Sequence, residues 1–153
     1  MEIRLDDLTS PASQALVRLH LRGMQENSPP GHVFALDIAG LRGPGVSFWT
    51  AWSADEILGM GALKAIGPRA GEVKSMRTHP HHLRRGVAAA LLDHLIAEAQ
   101  ARGYGVLSLE TGRGPGFEPA LALYRRRGFI NGGPFADYAQ SEFNQFLHLR
   151  LGS

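Results

Sequence analysis

A chain of 153 residues with a formal net charge of +2 and no cysteine fits one domain, large enough to bury roughly two-thirds of its unfolded surface. The near-neutral balance excludes a polyanion binder acting with its whole surface. The lack of thiols excludes a disulfide framework and a cysteine nucleophile. No apolar run reaches the length of a membrane span, and Met1 to Leu5 lacks a signal-peptide core, so a cytoplasmic protein with no membrane partner is expected.

Ile3 and Leu5 alternate with charge and predict a first strand. Ser10-Pro11 supplies an N-cap followed by proline at the first helical position. Ala12, Leu16, Leu19 and Met24 then follow a helical period, which predicts a helix over about 11–25. Ser28-Pro29-Pro30-Gly31 ends it, and residues 32–46 fit either a strand or a short helix. Three β-like runs follow with short turns between them, over 46–52, 56–66 and 72–78, the pattern of antiparallel hairpins. From Gly86 to Arg102, Ala88, Leu91, Leu92, Leu95, Ile96 and Ala99 share one helical face, and Gly103 suits the C′ position. Val106 to Glu110 is a strand, so the strand–helix–strand unit implies a parallel pair with a right-handed crossover. A second helix is predicted over about 118–127, closed by Gly128, with a short strand starting at Phe129-Ile130. The alternating run 146–151 makes the last strand. As part of a C-terminal segment 143–151, it could pair across a homodimer.

Charge is unevenly distributed. His79, His81, His82, Arg84 and Arg85 cluster, and Arg125, Arg126 and Arg127 run together. Two such clusters suit a local anion site better than a continuous nucleic-acid track, so no nucleic-acid partner is expected. The histidines lack a third ligand and any cysteine, so no metal is expected. Leu83-Arg84-Arg85-Gly86-Val87-Ala88 stands between a strand and a long helix. A helix start carries unpartnered N–H groups and partial positive charge. Glycine lets an anion approach them, which suits a pyrophosphate.

The order of elements, the turn Arg84-Arg85-Gly86-Val87-Ala88, and Ala122-Leu123-Tyr124-Arg125-Arg126-Arg127-Gly128-Phe129 together resemble the GCN5-related N-acetyltransferase (GNAT) superfamily, in the manner of its small bacterial members. The resemblance implies an α/β fold over residues 1–153, a single acyl-CoA N-acyltransferase domain. Its mixed, splayed sheet would have six or seven strands and about four flanking helices. It implies acetyl-CoA as co-substrate and direct transfer of the acetyl group to a primary amine of a small molecule or peptide. The rival reading is an acyl-CoA-binding sensor without transfer activity. In the family the turn reads Gln/Arg-x-x-Gly-x-Gly/Ala. Gly86 and Ala88 match, and Leu83 departs from the first slot, leaving the main chain of Leu83 to Ala89 and the bases Arg84 and Arg85 to hold the phosphates.

By the same resemblance, Met76 and Thr78 offer backbone groups to the pantetheine arm, and the Met76 N–H stabilises charge on the thioester carbonyl oxygen. Tyr124 is the expected general acid to the leaving thiolate, since a phenol with pKa near ~10 is protonated at neutral pH. Glu72 is the leading candidate for general base. Glu110, at the end of the neighbouring parallel strand, where the family transfers no role, is the second candidate from its position alone, or else a binder of the acceptor's positive charge. The acceptor pocket is expected from the 26–45 region, the end of the Glu110 strand and the 131–142 loop. Trp49, Arg77, Phe135 and Tyr138 are its expected linings, and Arg77 could clamp a carboxylate. A period of two puts Glu72, Lys74, Met76 and Thr78 on one side of their strand and Val73, Ser75 and Arg77 on the other.

Overall fold

The computed structural model describes residues 1–152. Strand β1 (Glu2–Leu5) leads into helix α1 (Pro11–Asn27) and the short helix α2 (Ile38–Leu41). Strands β2 (Val46–Ser53), β3 (Glu56–Gly67) and β4 (Ala70–Thr78) form a meander. Helix α3 (Val87–Ala101) crosses to β5 (Val106–Gly112), and helix α4 (Glu118–Arg126) precedes β6 (Ile130–Gly132) and β7 (Asn144–Arg150). The seven strands form one sheet in the order β1-β2-β3-β4-β5-β7-β6. Only β4 and β5 run parallel. No helix among the described residues is long and apolar enough to cross a membrane.

Local chemistry sets the helix starts. Ser13 N–H donates to the Ser10 side chain at 3.1 Å, so Ser10 caps α1 as expected for a Ser-Pro entry. Asp6 accepts from the hydroxyls of Ser13 and Thr50, each at 2.7 Å, which ties the end of β1 to α1 and β2. The stretch around 38–41 resolves to a single helical turn capped by Asp37.

Helices α1 and α2 cover one face of the sheet through Leu16, Val17 and Leu41 against Phe48, Met60 and Ala62. Helices α3 and α4 cover the other, where Leu92, Leu95, Leu121 and Tyr124 meet Leu63, Val73, Leu107 and Leu109. Each fully buried leucine of α3 contributes about 2 kcal/mol of transfer free energy. Arg127 joins α4 to α3 by two bonds to the Asp93 carboxylate, at 2.7 and 3.2 Å.

Two expectations are corrected. The last strand is not a free edge: β7 lies between β5 and β6, and Phe146, Leu147 and His148 are paired on both sides, so that stretch of main chain is not open to pairing with a partner. The alternation of β4 is also broken. Lys74 stands opposite Ala62 and Arg77 opposite Met60, leaving Ser75 and Met76 across from Gly61. Ser75 takes a positive φ of 57°, which makes a β-bulge. One extra residue inverts the phase of everything after it. Glu72, Lys74 and Arg77 therefore share the α1 face, while Met76 turns to the α3 face, where its sulfur covers Gly61 beside Leu91 and Leu95.

Candidate active site

Pairing between β4 and β5 stops early. Ala70, Gly71 and Glu72 pair with Val106, Leu107 and Ser108, and the strands separate beyond that point. Both continue, β4 to Thr78 held by β3 and β5 to Gly112 held by β7. The result is a V-shaped opening through the sheet, with main-chain groups on its inner edges and a different chemistry on each face.

On the α3 face lies the turn 83–89. Gly86 is the N-cap of α3 in the left-handed conformation (φ 76°), and Arg84 also has a positive φ of 64°. No side chain caps the helix, so the first-turn N–H groups face outward with the helix dipole behind them. A Cβ built on Gly86 meets nothing within 4 Å, so the space before these donors is open. Leu83, Arg84 and Arg85 are exposed, Val87 is buried under the helix, and Ala88 and Ala89 are partly covered. Such a cradle fits a diphosphate.

The basic clusters are more committed than the sequence suggests. Arg85 donates to His82 Nδ1 at 3.0 Å, and His82 Nε2 donates to Glu56 at 2.9 Å. His82 is thereby a buried brace for the turn. Arg127 is held by Asp93 and Arg125 by Asn131. Arg84 carries the least encumbered charge of the turn.

Tyr124 lies on the same face, buried in the cluster containing Leu92 of α3 and Leu109 of β5, with its ring edge-on to Phe129. Burial pushes its phenol up to about 12, so the hydroxyl holds its proton at neutral pH.

On the α1 face a polar cluster borders the opening. Glu72 is only 2% exposed, unlike the solvated carboxylate its place near a strand start suggests. It accepts from the Tyr138 hydroxyl at 2.5 Å and from Lys74 Nζ at 3.3 Å. Lys74 also donates to the Tyr138 oxygen at 2.8 Å, closing a triangle. Burial and the Glu72 charge push the Tyr138 phenol far up, so it is a fixed donor. Glu110 projects to the same face from β5, paired across the ladder with Phe146. Burial pushes its carboxyl up to about 7, partly offset by the Lys74 charge and reinforced by Glu72.

Aromatic rings wall the cluster. Tyr138 meets Phe34 edge-on at 5.3 Å and Phe135 at 5.1 Å, and Phe135 reaches Phe146. The segment after α1 and the loop after β6 thus converge over Glu72 and Glu110. Arg77 lies on this face too, its Nε donating to His20 Nδ1 at 2.9 Å.

Most expected site residues thus fall into two groups on either side of one opening. Gly86 with its neighbours, Met76 and Tyr124 form one group. Glu72, Glu110, Arg77, Phe135 and Tyr138 form the other, and Thr78 ends the β4 edge. Trp49 joins neither acceptor wall. It stands opposite Gly61 and packs edge-on to His94 of α3, with Arg102 over its ring, as part of the core. Phe34, His20 and Gly23 escaped the sequence reading. The last two could have been found, since Leu16, His20 and Gly23 follow one helical face.

A mixed sheet opened between its two parallel strands, beside an uncapped glycine helix start, defines an acyl-CoA-dependent transferase architecture. The acetyltransferase (GNAT) family profile matches residues 13–129. The chain is 49% identical over 151 residues to the uncharacterized N-acetyltransferase YsnE of Bacillus subtilis, covering 99% of this chain and 100% of that one. It is 48% identical over 149 residues to the uncharacterized N-acetyltransferase YedL of Escherichia coli, covering 97% and 94%. A Klebsiella pneumoniae structure, a candidate acyl-CoA N-acyltransferase, superimposes with a TM-score of 0.79 at 27% identity, covering 99% of this chain and 97% of that one. The chain belongs to the acetyltransferase (GNAT) family, and it is an acetyl-CoA-dependent N-acetyltransferase.

Proposed function

We propose that residues 1–153 act as one acyl-CoA N-acyltransferase domain that acetylates a primary amine of a small molecule or peptide by direct attack, in the cytoplasm, where acetyl-CoA is at hand. The observation that carries this reading is the opening between β4 and β5. It links a phosphate-type cradle on one face to a carboxylate-lined, aromatic-walled pocket on the other.

Residues divide the work by face. Main-chain N–H groups from Gly86 to Ala89 and the Arg84 side chain hold the diphosphate of acetyl-CoA, and Leu83 and Arg85 shape the turn. The edge of β4 at Met76 and Thr78 directs the arm through the opening, with the Met76 N–H placed for the thioester carbonyl oxygen. Glu110 is the general base. A carboxyl near 7 is matched to removing a proton from an ammonium at neutral pH. Glu72 positions rather than abstracts, since its carboxylate already accepts from Tyr138 and Lys74. The amine nitrogen bonds to the acetyl carbon and releases its second proton to solvent as the amide forms; the carbon–sulfur bond breaks, and the sulfur takes the Tyr124 proton, which solvent replaces.

The test is CoA release from acetyl-CoA against a panel of amines, amino acids and peptides, with calorimetry of acetyl-CoA alone. Tight uptake with turnover of at least one amine supports enzyme action. Uptake with no turnover of any acceptor would leave a sensor.

A further inference from the structure

Two basic side chains of β4, Lys74 and Arg77, stand on the acceptor face, and they are held differently. Lys74 is satisfied by Glu72 and Tyr138. Arg77 forms no ion pair among the described residues. Its one side-chain partner is His20, buried on α1, whose Nδ1 accepts from Arg77 Nε. Burial and the adjoining guanidinium push His20 down to about 3, so the ring stays neutral. His20 thus orients the guanidinium without cancelling its charge.

Helix α1 is also shaped around this arginine. A Cβ at Gly23 would lie 2.8 Å from Arg77 Nη2, so a larger residue there would make the guanidinium shift from its place against the helix. Burial pulls the Arg77 pKa down, yet a guanidinium stays protonated in proteins. A half-buried cation with only neutral neighbours is costly. Its Nε is spent on His20, and its terminal nitrogens remain as a planar fork.

The bulge at Ser75 puts this fork on the same face as Glu72 and Lys74. Lys74 and Arg77 face Ala62 and Met60, two residues apart on β3. That is a separation of roughly 7 Å along the strand. Resting on the transferase reading above, we infer that the acceptor is an amine that also bears a carboxylate. Arg77 receives the carboxylate through a bidentate pair, while the amine meets Glu110 at the opening.

The experiment uses the full chain and its Arg77→Gln, Arg77→Lys and Gly23→Ala variants. CoA release is measured with free α- and ω-amino acids, and with the amide and the decarboxylated amine of each. The best acceptor should carry a free carboxylate and exceed its two uncharged counterparts about tenfold or more in kcat/KM. Arg77→Gln should erase that preference through KM, and Arg77→Lys should restore part of it. Gly23→Ala favours the helix, so it tests the displaced fork without unfolding the chain, and it too should weaken the preference. Calorimetric acetyl-CoA affinity should be the same in all four proteins. The inference fails if the amides or decarboxylated amines are the better substrates, or if the preference survives Arg77→Gln. It also fails if a wild-type protein that takes up acetyl-CoA acetylates no member of the panel. A wild-type protein that takes up no acetyl-CoA would instead overturn the transferase reading beneath it.

Discussion

The Tyr138 hydroxyl donates to Glu72 at 2.5 Å, joining the loop between β6 and β7 to a buried residue of a central strand. Lys74 completes the contact from the next residue on that face. Removing different members of this triangle should have different costs. Tyr138→Phe deletes one donor and leaves the ion pair, for a loss of about 1–2 kcal/mol in urea unfolding. Glu72→Ala leaves the buried Lys74 charge without its counter-ion, holding only the Tyr138 oxygen, for a loss of about 3–5 kcal/mol. Equal losses would show that the pair is not the anchor of the cluster.

Activity should depend on pH through Glu110. Its carboxyl titrates at about 7, so kcat/KM should rise as pH passes through that value and level off above it. Glu110→Gln should remove the rise and lower the plateau about a hundredfold or more. Stability runs the other way. The folded pKa lies above the ordinary carboxylate value, so the folded state binds more protons between about 4.5 and 7. Its contribution to stability is complete below that window and is lost as pH rises through it. Urea titrations of wild type and Glu110→Gln across the window should differ in slope with that sign.

Tyr124 should affect chemistry and leave binding alone. Tyr124→Phe keeps the ring against Phe129 and removes only the proton donor. The expected result is a fall in kcat of about 10² or more with unchanged calorimetric affinity for acetyl-CoA. Because the phenol is pushed to about 12, no alkaline loss of activity below pH 10 should trace to it.

The Gly86 turn can be probed by its backbone rather than its charge. A side chain there has room, since a Cβ meets nothing within 4 Å, but the φ of 76° disfavours it. Gly86→Ala should cost about 1–2 kcal/mol of stability. Gly86→Val should also place bulk before the helix start and weaken acetyl-CoA binding more than tenfold by calorimetry. Arg85→Ala should act chiefly on stability, since Arg85 is bound to His82.

Local patterns carried most of the architecture. The period of α3, its glycine start, and the turns between β2, β3 and β4 are each encoded within a few residues, and their bounds fall within a few residues of those expected. What escaped is non-local or out of phase. Ser75 adopts a left-handed conformation with no glycine to announce it, so the reversal of Met76 and Arg77 had no signature in the sequence. Trp49 follows Phe48 in a run of large side chains, and only its pairing with Gly61 assigns it to the core. Contacts such as Phe34 with Tyr138 join distant segments. The loops that carry them obey no period, so the pocket's regions were foreseeable and its contacts were not.

The bulge on β4 gives consecutive residues separate employers. In the reading proposed above, Met76 would serve the donor of the acyl group and Arg77 its recipient, with the thickness of the sheet between their side chains. Substitution at 77 should then retune which amine is chosen without disturbing how the thioester is held. A redesign that shortened the strand by one residue would exchange the two duties and lose both.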